Sequence, residues 1–233
     1  MYAIALTSIP PRLHRLQPVL QSLLAQDPAP ERVLLCLPHR WTRFAAPAAL
    51  PAMPDTIEVV RSDTDFGPAT KAIVAARLLA GKMSRLIYCD DDWIYPPGWA
   101  SALLATQRPG EAVAATGFDI ARLKRQSHRT GQDDGLTDIA QGYSGVLIDP
   151  VWLAGPEIVP PPDAMTVDDI WLSGQLARQR VPVRLAPTAR AGLVPAFEDA
   201  HGLQDATGGR NRHALNLACL DLLTARYGLW QPM

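Results

Sequence analysis

Apolar positions along the chain fall into two spacings. Short continuous apolar runs read as buried strands, and apolar residues three or four apart read as amphipathic helices. Residues 2–9 are the first such run, closed by Thr7, Ser8 and Ile9 before Pro10 and Pro11. Leu13, Leu16, Leu20, Leu23 and Leu24 then predict a helix over 13–25. Strands are expected at 32–37 and 56–61, joined by a Pro- and Ala-rich connection at 38–54 with no regular pattern. A loop at 65–71 enters a helix to about residue 80, and Leu86, Ile87, Tyr88 and Cys89 form a short buried strand. A helix near 98–106, a strand over 112–116, a polar loop at 122–138 and a Gly-hinged strand at 141–148 follow. Pro160, Pro161 and Pro162 interrupt regular structure before a helix that opens around Asp168 and Asp169 and runs to about 180. A strand at 183–186 and an amphipathic helix at 213–227 complete the chain. Strands alternating with helices predict βαβ units in one α/β domain over 1–233, with a mostly parallel sheet flanked by helices.

Composition narrows the class. The chain has 233 residues, is 48% hydrophobic and carries a net charge of −1, ample for a packed core and without the basic surplus of a nucleic-acid binder. Met1 leads directly into the first strand without a cationic segment or cleavage site, so no signal peptide is expected. No apolar run is long enough to predict a transmembrane helix. Cys36, Cys89 and Cys219 are scattered and odd in number, which predicts reduced, buried thiols and a cytoplasmic protein.

The chemistry gathers at the ends of strands. The run 86–89 stops abruptly in Asp90, Asp91 and Asp92, then Trp93. Beyond the C-terminal ends of parallel strands lies the crevice where ligands bind. Three crowded carboxylates repel unless a cation compensates them, and Mg²⁺ or Mn²⁺ suits an all-oxygen cluster. Asp65, Gly67 and Lys71 supply a turn, a helix N-terminus and a cation, the parts of a diphosphate cradle or of an ordinary capped loop. Asp168 and Asp169 open a helix, where they complement its dipole or supply a general base. No G-x-G-x-x-G follows the first strand, no phosphate-binding G-x-x-x-x-G-K-[ST] occurs, and there is no G-x-S-x-G.

Together these residues resemble the inverting, metal-dependent glycosyltransferases of the GT-A fold, in the broad family 2-like group, over roughly residues 3–180. Thr7, Ser8, Pro10 and Arg12 match the first-strand end that holds the donor nucleotide. Asp65, Gly67 and Lys71 match the second nucleotide loop, and Asp90-Asp91-Asp92 resembles the D-x-D motif. There the resemblance places Asp90 and Asp91 at the nucleotide, and Asp92, with Asp90, at a Mn²⁺ or Mg²⁺ cofactor. Asp168-Asp169 resembles the acidic pair at the acceptor side, with Asp169 as catalytic base. The resemblance also implies a nucleotide-binding part over about 1–97, an acceptor-side part over about 98–233, and a further metal ligand from His201 or His213. The implied partners are a nucleotide-sugar donor, UDP-sugar by family habit, and a carbohydrate or glycolipid acceptor, in polysaccharide or lipopolysaccharide assembly at the inner face of a membrane. Sugar-nucleotidyltransferases of related fold carry a Gly-rich, Arg-containing signature after the first strand that 7–12 lack, and a non-catalytic sugar-binding module is the third reading.

Other polar and aromatic residues admit two readings. Trp93 and Trp171, beside the acidic motifs, either stack on sugar faces or belong to the core. Gly142, Tyr143, Ser144 and Gly145 shape a sugar or acceptor pocket, or form a β-bulge. Arg122, Lys124, Arg125, His128 and Arg129 form a solvated loop, or face an anionic acceptor or a membrane surface.

Overall fold

A computed structural model of the chain describes residues 1–44, 49–127, 135–198 and 211–233. Eight strands form the central sheet: β1 Ala3–Leu6, β2 Arg32–Pro38, β3 Ile57–Ser62, β4 Leu86–Tyr88, β5 Ala112–Ala114, β6 Leu136–Thr137, β7 Val146–Ile148 and β8 Val183–Leu185. Their order across the sheet is β3-β2-β1-β4-β7-β5-β8-β6. β3, β2, β1 and β4 are parallel, and β7 runs antiparallel between β4 and β5. β8 is parallel to β5, and β6 is antiparallel to β8. The sheet is mixed and mostly parallel, as the alternating pattern predicts.

Helices α1 Gln17–Leu24, α2 Thr70–Leu79, α3 Trp99–Thr106, α4 Asp168–Arg178 and α5 Arg212–Tyr227 cover both faces. Ala3, Ala5, Leu34 and Tyr88 pack toward α2, α4 and α5. Ile4, Leu6, Leu35 and Ile87 pack toward α1 and α3. Burial on both faces is why these strands read as unbroken apolar runs rather than alternating ones. Cys36, Cys89 and Cys219 are free thiols buried in these layers. Among the described residues, no helix is long and apolar enough to cross a membrane.

Strand β6 falls inside the segment 122–138 expected to be a polar loop, and two other predicted elements change. The helix expected over 13–25 is divided into a 3-10 turn, Pro10–Arg15, and α1. Pro18 is the cause: its ring and missing N–H are tolerated in a first turn and disrupt a helix interior. The strand expected over 141–148 begins late, because Gly142–Ser144 form a 3-10 turn before β7. Gly145 has φ +100°, and a Cβ there would meet the Trp99 ring at 2.3 Å, so the backbone turns where only glycine fits. Two small antiparallel ribbons, Trp93–Ile94 with Val194–Pro195 and Gly117–Phe118 with Ile139–Ala140, are too short to show a sequence period.

The connections set up the site. From β1 the chain moves outward through β2 to β3, then returns to place β4 on the other side of β1. Loops leaving β1 and β4 therefore diverge, and the crevice between them is a topological switch point. Thr7, Ser8 and Asp90 to Asp92 stand there.

Candidate active site

The β1 and β4 ends are tied together by charge. Arg12 Nη1 lies 2.5 Å from Asp91 Oδ1, the Ser8 hydroxyl donates to Asp91 Oδ2, and Arg12 Nη2 lies 3.4 Å from Asp92 Oδ2. Pro10 and Pro11 begin the turn that brings Arg12 to this position. The Trp41 indole donates to the Ser8 carbonyl at 3.0 Å, joining the loop after β2 to the same point. Asp91 is 3% exposed and fully engaged, so it braces the loop. Burial pushes its carboxyl up, with Arg12 and Ser8 opposing.

Lys71 joins the two acidic motifs. On α2 and 1% exposed, its ammonium lies 2.9 Å from Asp90 and 2.5 Å from Asp168. Two carboxylates therefore share the Lys71 charge at the cleft lining. They hold its proton well above the ordinary lysine range against the opposing effect of burial. A buried pair that loses one partner strands the other charge, at a cost of about 3–5 kcal/mol. Lys71→Met is therefore expected to lower the thermal unfolding temperature sharply; a midpoint unchanged in calorimetry would refute this role.

Asp169, one residue beyond Asp168, has a different setting. Partly buried in the first turn of α4, it accepts the Gly142 amide at 2.8 Å. A Cβ at Gly142 would lie 3.2 Å from Lys71 Cε and 3.3 Å from Asp169 Oδ1, so the absent side chain lets the backbone reach the carboxylate. Burial, then the neighbouring Asp168, pushes the Asp169 carboxyl up to about 7, with Lys71 opposing. A carboxylate poised there is matched to proton transfer near neutral pH.

All these groups line one cleft of about 820 Å³. Six carboxylates (Asp65, Asp90, Asp91, Asp92, Asp168 and Asp169) face five cationic side chains (Arg12, Arg43, Lys71, Arg122 and Arg212) around it. A diphosphate entering the cleft meets these carboxylates as well as the cations, a repulsion that an added cation would offset. Asp92 is the group positioned to hold one. Its Oδ1 is closed off from solvent without a hydrogen-bond partner, and burial followed by Asp90 and Asp91 pushes its carboxyl up to about 7. A carboxylate oxygen left without a partner among like charges fits Mg²⁺ or Mn²⁺, which would displace the proton it otherwise keeps. Among the described residues, no three His, Cys, Asp or Glu side chains form a ready-made cage. A hard cation here would take one or two protein ligands and complete its shell with substrate oxygens and water.

The structure brings most of the predicted residues to the cleft. Thr7, Ser8, Arg12, Asp65, Gly67, Lys71, Asp90 to Asp92, Trp93, Tyr143, Asp168, Asp169 and His213 all line it. The Asp65 carboxylate also accepts from the Thr42 amide at 2.7 Å and the Gly67 amide at 2.8 Å, fixing both loops. Trp93 and Tyr143 pack ring to ring, centroids 5.1 Å apart. Trp171 is not at the cleft: it is 0% exposed in the core and donates its indole N–H to the Ile158 carbonyl. Pro10, Gly142, Ser144 and Gly145 act behind the surface, shaping the turns that carry Arg12, Asp169 and Tyr143 rather than lining the cleft. His201, His128 and Arg129 lie outside the described residues, and Arg125 is buried against Asp221. Trp41, Arg43 and Phe44 from the irregular 38–54 connection, and Phe118 and Asn216, join the lining without having been singled out in the sequence. The location of 38–44 directly after a parallel strand was the available signal.

No protein-family model and no curated protein sequence matches the chain. Solved structures do. Glucosyl-3-phosphoglycerate synthase from Mycobacterium tuberculosis, in complex with Mn²⁺, UDP and glucosyl-3-phosphoglycerate, superposes with a TM-score of 0.50 at 11% identity, over 98% of this chain and 80% of that one. The fold is GT-A. S. aureus TarS, residues 1–349, gives a TM-score of 0.46 at 12% identity, and the galactosyltransferase LgtC gives 0.41 at 16%. The chain spans 58% of each of those two. In the GT-A fold the switch-point crevice at β1 and β4 is occupied here by Ser8, Arg12 and the three aspartates.

Proposed function

We propose that the chain is a metal-dependent, inverting glycosyltransferase, moving a sugar from a nucleoside-diphosphate donor, UDP-sugar by the resemblance, to a hydroxyl acceptor. The observation that carries this reading is the meeting of two acidic motifs across one cleft, with Lys71 bridging Asp90 and Asp168, Asp92 Oδ1 left without a hydrogen-bond partner and Asp169 accepting the Gly142 amide. The M. tuberculosis synthase of the same fold, with Mn²⁺ and UDP bound, supports the choice of cofactor and nucleotide.

Each of these two carboxylates has a task. Asp92, with His213 from α5 lining the same cleft, would hold Mg²⁺ or Mn²⁺, which when bound supplies positive charge to the departing diphosphate. Arg12, paired with Asp91 and close to Asp92, positions the carboxylate that would hold the cation. Trp41, Phe44 and Trp93 offer flat apolar faces to a base or a sugar ring. Asp169 takes the proton from the acceptor hydroxyl as its oxygen attacks the anomeric carbon opposite the leaving diphosphate. Gly142 holds the base in place, and one attack without a covalent intermediate inverts the anomeric configuration.

The first test is calorimetric titration of UDP, then GDP and other nucleoside diphosphates, with and without Mn²⁺. Binding of one diphosphate that requires the metal is expected; no binding of any of them in either condition would refute the reading. A pH profile follows from Asp169. The base works only when deprotonated, so at saturating Mn²⁺ kcat/KM should rise about tenfold per pH unit below about 7 and level off above it. A flat profile between pH 5 and 8 would exclude Asp169 as the base.

A further inference from the structure

The cations deep in the cleft are already taken: Arg12 by Asp91 and Asp92, Lys71 by Asp90 and Asp168. Arg122 is different. It is exposed at the cleft wall, its guanidinium carbon lies 5.5 Å from the centre of the Phe118 ring, and no carboxylate pairs with it among the described residues. Its place relative to the base is set by backbone pairing. Gly117–Phe118 pairs with Ile139–Ala140, the Gln141 amide donates to the Thr116 carbonyl at 3.0 Å, and the next amide, Gly142, holds Asp169. Phe118 and Arg122 thus stand on the side of the cleft that carries the base, away from the β1, β2 and β3 loops. From α5, Asn216 reaches the same cleft with its Oδ1 buried and without a hydrogen-bond partner. Leaving such an oxygen unpaired costs about 1–3 kcal/mol, which a donor from a ligand would recover.

We propose that the acceptor is anionic: a hydroxylated molecule bearing a phosphate or carboxylate that Arg122 binds, with one of its hydroxyls donating to Asn216 Oδ1. This rests on the transferase reading and adds the acceptor's chemical class to it. An anion brought close to Asp168 and Asp169 needs a compensating cation, and Arg122 is the guanidinium on that side with no ion pair of its own among the described residues. Phe118 beneath it fixes the plane of the fork and leaves its N–H edge for two oxygens.

The test uses the full chain with saturating UDP and Mn²⁺. Glycerol 3-phosphate, glucose 6-phosphate and glucuronate are titrated against glycerol and glucose, and phosphatidylglycerol vesicles against phosphatidylcholine vesicles. Anionic probes are expected to bind at least about tenfold more tightly than their neutral counterparts, about 1.4 kcal/mol. Arg122→Ala should abolish that preference, Arg122→Lys should retain part of it, and UDP binding should be the same in all three proteins. A preference seen with the soluble anions assigns a free acceptor; one seen only with the anionic vesicles, and lost in Arg122→Ala, assigns a lipid-borne phosphate. Equal binding of anionic and neutral probes, or a preference that survives in Arg122→Ala, overturns the proposal. Failure of UDP itself to bind sinks the transferase reading, whereas UDP binding without an anion preference sinks this inference alone.

Discussion

Asp169→Asn is expected to leave metal-dependent UDP binding intact and to lower turnover by about a thousandfold, the scale of a lost general base. The replacement keeps the shape and the oxygen that accepts the Gly142 amide, so the 142–144 turn has no reason to move. What it removes is the ability to take a proton. The neighbouring Asp168→Asn is a different experiment. Asp168 is bonded to Lys71, so its neutral replacement should lower the unfolding temperature as well as the rate. Measuring kcat, UDP affinity and thermal unfolding on both variants separates a base from a bracing carboxylate. A fully active Asp169→Asn beside an inactive, normally stable Asp168→Asn would reverse the two assignments.

Asp92→Asn should weaken UDP binding in Mn²⁺ by about tenfold or more, equivalent to at least about 1.4 kcal/mol, and leave binding without metal unchanged. The same substitution should make the metal-free protein more stable. Asp92 is crowded by Asp90 and Asp91, with Oδ1 unpartnered, so its ionisation is opposed by burial and by like charge. Neutralising it removes that repulsion, and a strained group kept at the cost of stability is the mark of a site selected for function. Calorimetry with and without Mn²⁺ and a thermal melt in chelator provide both readings. Unchanged Mn²⁺ dependence in Asp92→Asn would remove this residue from the cation site.

Much of this arrangement follows from local sequence. Apolar runs such as Leu86 to Cys89 have one use in a chain of this length, a strand buried on both faces, and the charge that ends them abruptly is where the strand meets solvent. The acidic triplet, the pair opening α4 and the order of the motifs were therefore legible, because each depends on neighbours a few positions away. Pro18 could have been read the same way, as the reason the first helix starts late. Tertiary structure alone decided which carboxylates are spent. Lys71 meets Asp90 and Asp168 across 97 residues of chain in the second case, and nothing near any of the three announces that pairing. It decided as well that Trp171 faces the core while Trp93 faces the cleft, since each stands within two residues of an aspartate and the sequence alone does not show what packs against it. Arg122 became distinct from its basic neighbours by its place on the cleft wall over Phe118, whose ribbon pairs two residues per strand and has no period to detect. Local patterns record which surfaces a segment must bury; which charge meets which depends on contacts between segments far apart in the chain.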